Sequence, residues 1–164
     1  MTQQRTPNIF EHRSVIPATM DQMMAFHNDP RALSMLTPPP IFVQLHRRDL
    51  KSLTEGEMEF TLWFGPLPIR WTARHEPGPS PTSFLDRMIS GPVERWEHEH
   101  IFTQKEDGIE LLDRLTIEYK RSGFWAIFTR LFFAGLPLRF LFIYRHLRTR
   151  MGVKRYAQNG QVAA

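Results

Sequence analysis

The stretch "RWEHEHIFTQKEDGIELLDRLTIEY", residues 95–119, decides the fold, because it alternates twice around a turn signal. Successive strand side chains point to opposite faces, so Trp96, His98, His100 and Phe102 share one side and Arg95, Glu97 and Glu99 the other. The aromatic side is the inner one, which turns both histidines inward and the glutamates toward water. His98-Glu99-His100 is therefore no three-ligand cluster. With Asp107-Gly108 as a two-residue turn, Glu106 faces Ile109, Phe102 opposes Asp113 and His100 opposes Leu115. Shifting the turn by one residue at each strand end sets His100 opposite Asp113. Either register puts Asp113 on the histidines' face, beside Leu111, Leu115, Ile117 and Tyr119.

Upstream, "PTSFLDRMIS" reads as the preceding strand. A three-residue loop Gly91-Pro92-Val93 sets Asp86 against His98 and Met88 against Trp96; a two-residue loop turns Asp86 outward. "EMEFTLWF" puts Met58, Phe60, Leu62 and Phe64 on one face, and "PIRWTARHE" does so for Ile69, Trp71, Ala73 and His75. "IFVQLHRRDL" is a further strand, and "NIFEHRSVI" a first one. Between these two, Thr19 and Gln22 have capping-box spacing at the start of a helix. Asp29-Pro30 starts a second, short helix that Pro38, Pro39 and Pro40 stop. From Phe124 the two-residue period gives way to a long helix bent near Gly135 and Pro137. Phe140, Tyr144, Leu147 and Met151 form its apolar stripe, with Arg145, His146 and Arg148 off it. Arg130 and Arg139 each cost about 2.5–3.5 kcal/mol near a bilayer centre, so this helix is expected to cover the sheet rather than span a membrane.

The 164 residues suffice for one domain, expected over residues 1–157 with a disordered tail at 158–164. Cysteine is absent, and MTQQRTPNIF lacks the apolar run of a signal peptide, which predicts a cytoplasmic protein. The net charge of +4 hides an asymmetry. From Lys120 onward stand nine Lys and Arg and no acid, while all seventeen acids precede it. That tail is a solvated helix face or a contact for an anionic membrane; no nucleic-acid-binding motif accompanies it.

The ordered set resembles the START-like, helix-grip superfamily (SRPBCC, polyketide cyclase/dehydrase-like), in its small bacterial ligand-binding branch. The matching residues are Trp71, then Phe84, Asp86, Gly91 and Pro92, then Trp96, His98, His100 and Phe102, then Asp113, then Phe142, Tyr144, Arg145 and His146. They span about Asn8 to Met151. Met88, where the pattern favours a polar residue, and the aromatic run from Gly123 to Ala134 depart from it. The resemblance implies an α+β fold: a curved antiparallel sheet of six or seven strands around the C-terminal helix, two short helices after the first strand, and a cavity. Relatives bind sterols, lipids, polyketides, hormones or quinones, and some catalyse cyclisation or dehydration, so the fold leaves the function open.

Two histidines and one or two aspartates inside an apolar sheet allow four readings. They form a satisfied buried network, anchor a ligand's polar group, perform acid–base chemistry, or bind metal. The first two stand level and metal last, since histidines two apart on a strand are common without one. The expected function is binding of a small hydrophobic or aromatic ligand or lipid. Met58, Phe60, Leu62, Trp71, Met88, Trp96, Leu115 and Ile117 form the wall, and Asp86, His98, His100 and Asp113 anchor the polar group. A cyclase or dehydratase using His98 or His100 with Asp113, and a peripheral membrane carrier of lipid or quinone, are the alternatives. No cofactor is expected, and the oligomeric state is open. A cavity below roughly 300 Å³ would favour plain core packing of the wall.

Overall fold

The computed structural model describes residues 7–159. Strand β1 (Asn8–Ile16) is followed by helices α1 (Met20–Asn28) and α2 (Ala32–Met35). Then come β2 (Phe42–Ser52), β3 (Glu55–Phe64), β4 (Leu67–Pro77), β5 (Ser83–Ser90), β6 (Arg95–Lys105) and β7 (Gly108–Glu118). Helices α3 (Phe124–Phe132), α4 (Gly135–Gly152) and α5 (Lys154–Asn159) end the described chain. The strands form one antiparallel sheet in the order β1-β7-β6-β5-β4-β3-β2. With its long C-terminal helix against the sheet, this is the helix-grip fold. Register shifts in β2–β3 and at Thr72–Ala73 are irregularities of the kind that bend a sheet.

The alternation on β7 is complete: every second residue from Ile109 to Ile117 is buried. The β6–β7 hairpin takes the shifted register. Lys105 pairs with Gly108 across a Glu106-Asp107 turn, so His100 faces Asp113 and the pairing of His100 with Leu115 does not occur. Asp86 faces His98, as the three-residue loop predicted. The α1 capping box is present in both directions: Gln22 N–H donates to Thr19 Oγ1 and Thr19 N–H to Gln22 Oε1.

The inner face carries three apolar clusters. One joins α1 to β5–β7 through Met23, Phe26, Phe84, Phe102, Ile109 and Leu111. Another joins α4 to β7 through Leu115, Ile117, Leu138 and Phe142. The third lies on β3 and β4, where Phe60, Ile69, Trp71 and Ala73 face Leu33, Trp125 and Phe128.

The C-terminal segment corrects the expectation twice. It is not one bent helix but two, α3 and α4, meeting at about 55° with Gly135 at φ +55° in the break. That left-handed φ suits glycine, which opens α4 two residues after the Phe133 cap of α3. The stripe Phe140, Leu147, Met151 exists but faces outward. The side of α4 on the sheet carries Leu138, Phe142, His146, Thr149 and Gly152. Hydrophobic periodicity misplaced the helix because two of its inward groups, His146 and Thr149, are polar, and His146 bonds to partners that only the fold supplies. Among the described residues no single helix is long and apolar enough to cross a membrane, though the bent pair passes by length and composition. Helix α5 runs through Asn159, past the domain boundary expected at 157; the rest of the expected tail lies outside the described residues.

Candidate functional site

Strand parity on β4, β5, β6 and β7 aims His75, Asp86, His98, His100 and Asp113 at the inner face. α4 brings Arg145 and His146 down onto them, and α1 brings His27. Asp113 is the hub. Its Oδ1 lies 2.9 Å from His100 Nδ1 and 3.1 Å from His98 Nε2, and its Oδ2 lies 3.1 Å from His146 Nε2. The carboxylate only accepts, so His146 donates from Nε2, and in that tautomer Nδ1 is free to accept the Ser14 hydroxyl at 2.6 Å. Asp86 is the second centre, 2.7 Å from His75 Nε2 and 3.3 Å from His100 Nε2. His100 thus bridges two carboxylates.

Electrostatics divides these groups. Burial opposes ionisation of Asp113, but the histidines around it, His98 and His100 foremost, outweigh that and hold it well below the usual carboxylate range. Asp86 is lowered likewise, against burial, by His75 and His100. The His100 pKa is raised: burial works against its charge, and Asp113 with Asp86 more than offsets this. Burial and then the His100 charge push His98 down to about 4 and His27 to about 3. Burial also lowers Arg145, with Asp113 and Asp86 opposing. The two carboxylates favour the charged forms of His100 and Arg145, while His27 and His98 are neutral at pH 7.

Close approach does not make every contact a hydrogen bond. The pairs His75 Nε2–Asp86 Oδ1, His98 Nε2–Asp113 Oδ1 and His100 Nδ1–Asp113 Oδ1 sit at ion-pair distance but off the hydrogen-bonding direction. Arg145 Nε is shut off from solvent with no partner. Buried groups in this condition are unstable until a partner aligns with them.

A cavity of about 260 Å³ opens beside this network, between β3–β4, the segment from Leu33 in α2 to Ile41, and the α3–α4 break. Met58, Phe60, Leu62, Trp71 and Trp96 line it as expected, and Asp86, His98 and Arg145 supply its polar groups. Pro39, Phe132, Pro137 and Phe140 line it too and are exposed, so they mark the mouth. A smaller hollow of about 50 Å³ on the other side of Asp86 and Arg145 takes in His27, His75 and His100.

Several expected wall residues lie elsewhere. Leu115 and Ile117 are fully buried in the cluster under α4, because that helix sits directly on β7. Met88 is turned against Gly91 and Trp71. Asp113 is behind the histidines, and His100 reaches only the smaller hollow. The volume falls just under the 300 Å³ threshold, so part of the expected wall is packed core. Sequence reasoning missed His27, the segment from Leu33 to Ile41, and Arg145 as a cavity group. His75 was on the correct face, and parity with Trp71 was the signal. Asp86, His98 and His100 bring one ligand atom each within 4.8 Å of one another, near enough to share a cation. Both His100 nitrogens already face carboxylates, which accounts for the cluster without one.

No family profile matches the sequence, and no curated protein matches it. Solved structures do. A START superfamily protein from Mycobacterium smegmatis superposes with a TM-score of 0.64 at 10% identity, over 90% of this chain and 98% of that one. The Zhui aromatase/cyclase from Streptomyces sp. R1128 gives 0.61 at 15% identity, over 96% and 98%. The di-domain aromatase/cyclase of the steffimycin biosynthetic pathway gives 0.62 at 12%, over 92% of this chain and 52% of that one. At such identities the likeness establishes a START-like fold and nothing of the chemistry.

Proposed function

We propose that this protein binds a small molecule with an apolar or aromatic body and a hydrogen-bonding head that carries an acceptor oxygen. One observation carries the reading: an apolar cavity ends on Arg145, whose buried Nε has no partner, beside Asp86 and His98. A head such as a carboxylate, phenol or enol supplies the acceptor that Arg145 lacks, and its hydroxyl form can donate to Asp86. The 260 Å³ volume suits a ligand below drug size, or a longer one that protrudes through the mouth.

Native mass spectrometry of the purified protein tests this, followed by titration with mono- and bicyclic aromatic acids and phenols read by Trp71 and Trp96 fluorescence. A one-to-one adduct, or saturable quenching weakened at least tenfold in Arg145→Met, is expected. No adduct and no saturable binding across the panel overturns the reading.

Proton transfer is the second reading, favoured by a single fact. His98 lines the cavity and is held neutral, so it can accept a proton at pH 7. Aromatase/cyclases among proteins of this fold make polyketide ring closure or dehydration the reaction to try. Turnover lost in His98→Gln with binding retained supports it. Wild-type protein that binds such a substrate and leaves it unchanged removes it.

A further inference from the structure

The outward stripe of the C-terminal helices is the largest feature the cavity does not explain. On α3, Phe124, Ile127 and Leu131 are exposed at spacings of three and four, and Ile127 is 74% exposed. On α4, Leu136, Phe140, Ile143, Leu147 and Met151 repeat at spacings of four and three, with Leu136 79% and Phe140 61% exposed. Each set lies along one face of its helix. Single exposed apolar residues are ordinary, but an apolar face repeated over two successive helices marks a contact surface.

Charge says what the contact is. No acid occurs from Lys120 onward, and Arg139, Arg150, Lys154 and Arg155 are exposed on the same helical segment. A shallow groove at α3 is lined by Arg121 and Arg130 together with Ala126, Ile127 and Leu131. An apolar stripe edged by cations matches a membrane surface, where apolar side chains enter the acyl boundary and cations meet lipid phosphates. A second copy fits poorly, since two-fold pairing would set one basic face against another. Position adds a third argument. The exposed Phe132, Pro137 and Phe140 at the mouth of the cavity belong to this same break.

We infer that the α3–α4 break docks on an anionic lipid surface, with the cavity mouth opening against it. Docking stands on the surface features alone; that the mouth exchanges cargo with the bilayer rests on the proposed binding function. The tip set by the helix break enters the interface, and the flanking arginines and lysines hold the headgroups.

Sedimentation of the full chain with vesicles tests the inference. Equimolar phosphatidylglycerol and phosphatidylcholine at low salt are expected to bind the protein at least tenfold more tightly than phosphatidylcholine alone. Added salt at 0.5 M, where the screening length is roughly half that at 0.1 M, should remove most of that gain. The double variant Leu131→Ser/Leu136→Ser, at two exposed positions outside the main cavity, is expected to lose vesicle binding at least tenfold. Quenching of Trp71 and Trp96 by an aromatic acid is measured on the same variant. Vesicle binding lost with quenching kept leaves the cavity reading intact and supports docking. No binding to anionic vesicles, or equal binding by the variant, overturns docking. A concentration-dependent dimer in light scattering that the variant abolishes, without vesicle binding, assigns the stripe to a second copy and also overturns it.

Discussion

His100 and Asp113 stand directly opposite one another across β6 and β7, with ring Nδ1 2.9 Å from carboxylate Oδ1 and both residues almost wholly buried. Two further imidazoles, those of His98 and His146, reach the same carboxylate. Asp113→Asn removes the anion that compensates the His100 charge. Breaking such a buried pair costs about 3–5 kcal/mol. The urea midpoint should fall accordingly with an unchanged m value; a midpoint within error of wild type would show that the network is not electrostatically coupled.

Acid should destabilise the protein well above the carboxylate range. His27 and His98 keep folded pKa values of about 3 and 4, whereas the unfolded chain protonates its histidines near 6.5. Between those limits the unfolded state binds more protons, so stability falls as pH falls, by about 1.4 kcal/mol per unit for each group. His100 is raised, so its contribution is complete below 6.5 and is lost as pH rises through its folded pKa. Asp86 and Asp113 are depressed, and theirs is lost only below about 4. Urea midpoints at pH 7 and pH 5 should therefore differ clearly, and equal midpoints would contradict the neutral burial of His27 and His98.

Arg145→Met separates stability from binding. The guanidinium is held where burial disfavours its charge, and its Nε is unpaired. Removing it relieves that burial but leaves Asp86 and Asp113 less compensated, so the thermal midpoint should fall less than in Asp113→Asn. Ligand affinity should drop at least tenfold. A large loss of stability would mean that Arg145 chiefly balances Asp86 and Asp113.

Gly152→Ala tests a close approach of α4 to α1. A Cβ there would lie 2.2 Å from the Phe26 ring. Alanine favours the helix by about 1 kcal/mol, yet overpacking costs about 1–3 kcal/mol, so the variant should be less stable. Adding Phe26→Leu makes room, and the double variant should be destabilised by less than the two single effects combined. Additive losses would show that α1 and α4 do not press on each other here.

Much of the fold was legible because strand parity is a strict rule. Trp96, Phe102 and Trp71 fixed which side was inner, and His98, His100, Asp113 and His75 followed by counting. The hairpin register was not fixed by the turn dipeptide alone, since Asp107-Gly108 allows two pairings. Helix α4 misled for a physical reason. Its outward residues are greasier than some of its inward ones, because His146 meets Asp113 and Ser14 on strands far away in sequence and Arg145 faces the cavity. The segment from Leu33 to Ile41 carried no signal of its own, and only the cavity left between β3–β4 and the α3–α4 break makes it a wall.

The polar inner side of α4 has a structural corollary. Apolar contacts tolerate a helix that swivels about its long axis, because one greasy side chain replaces another at little penalty. His146 tolerates no such swivel: turned away, it abandons both Asp113 and Ser14. The histidine thus acts as a key that indexes the helix, and the indexing is what keeps Arg145 aimed at the hollow.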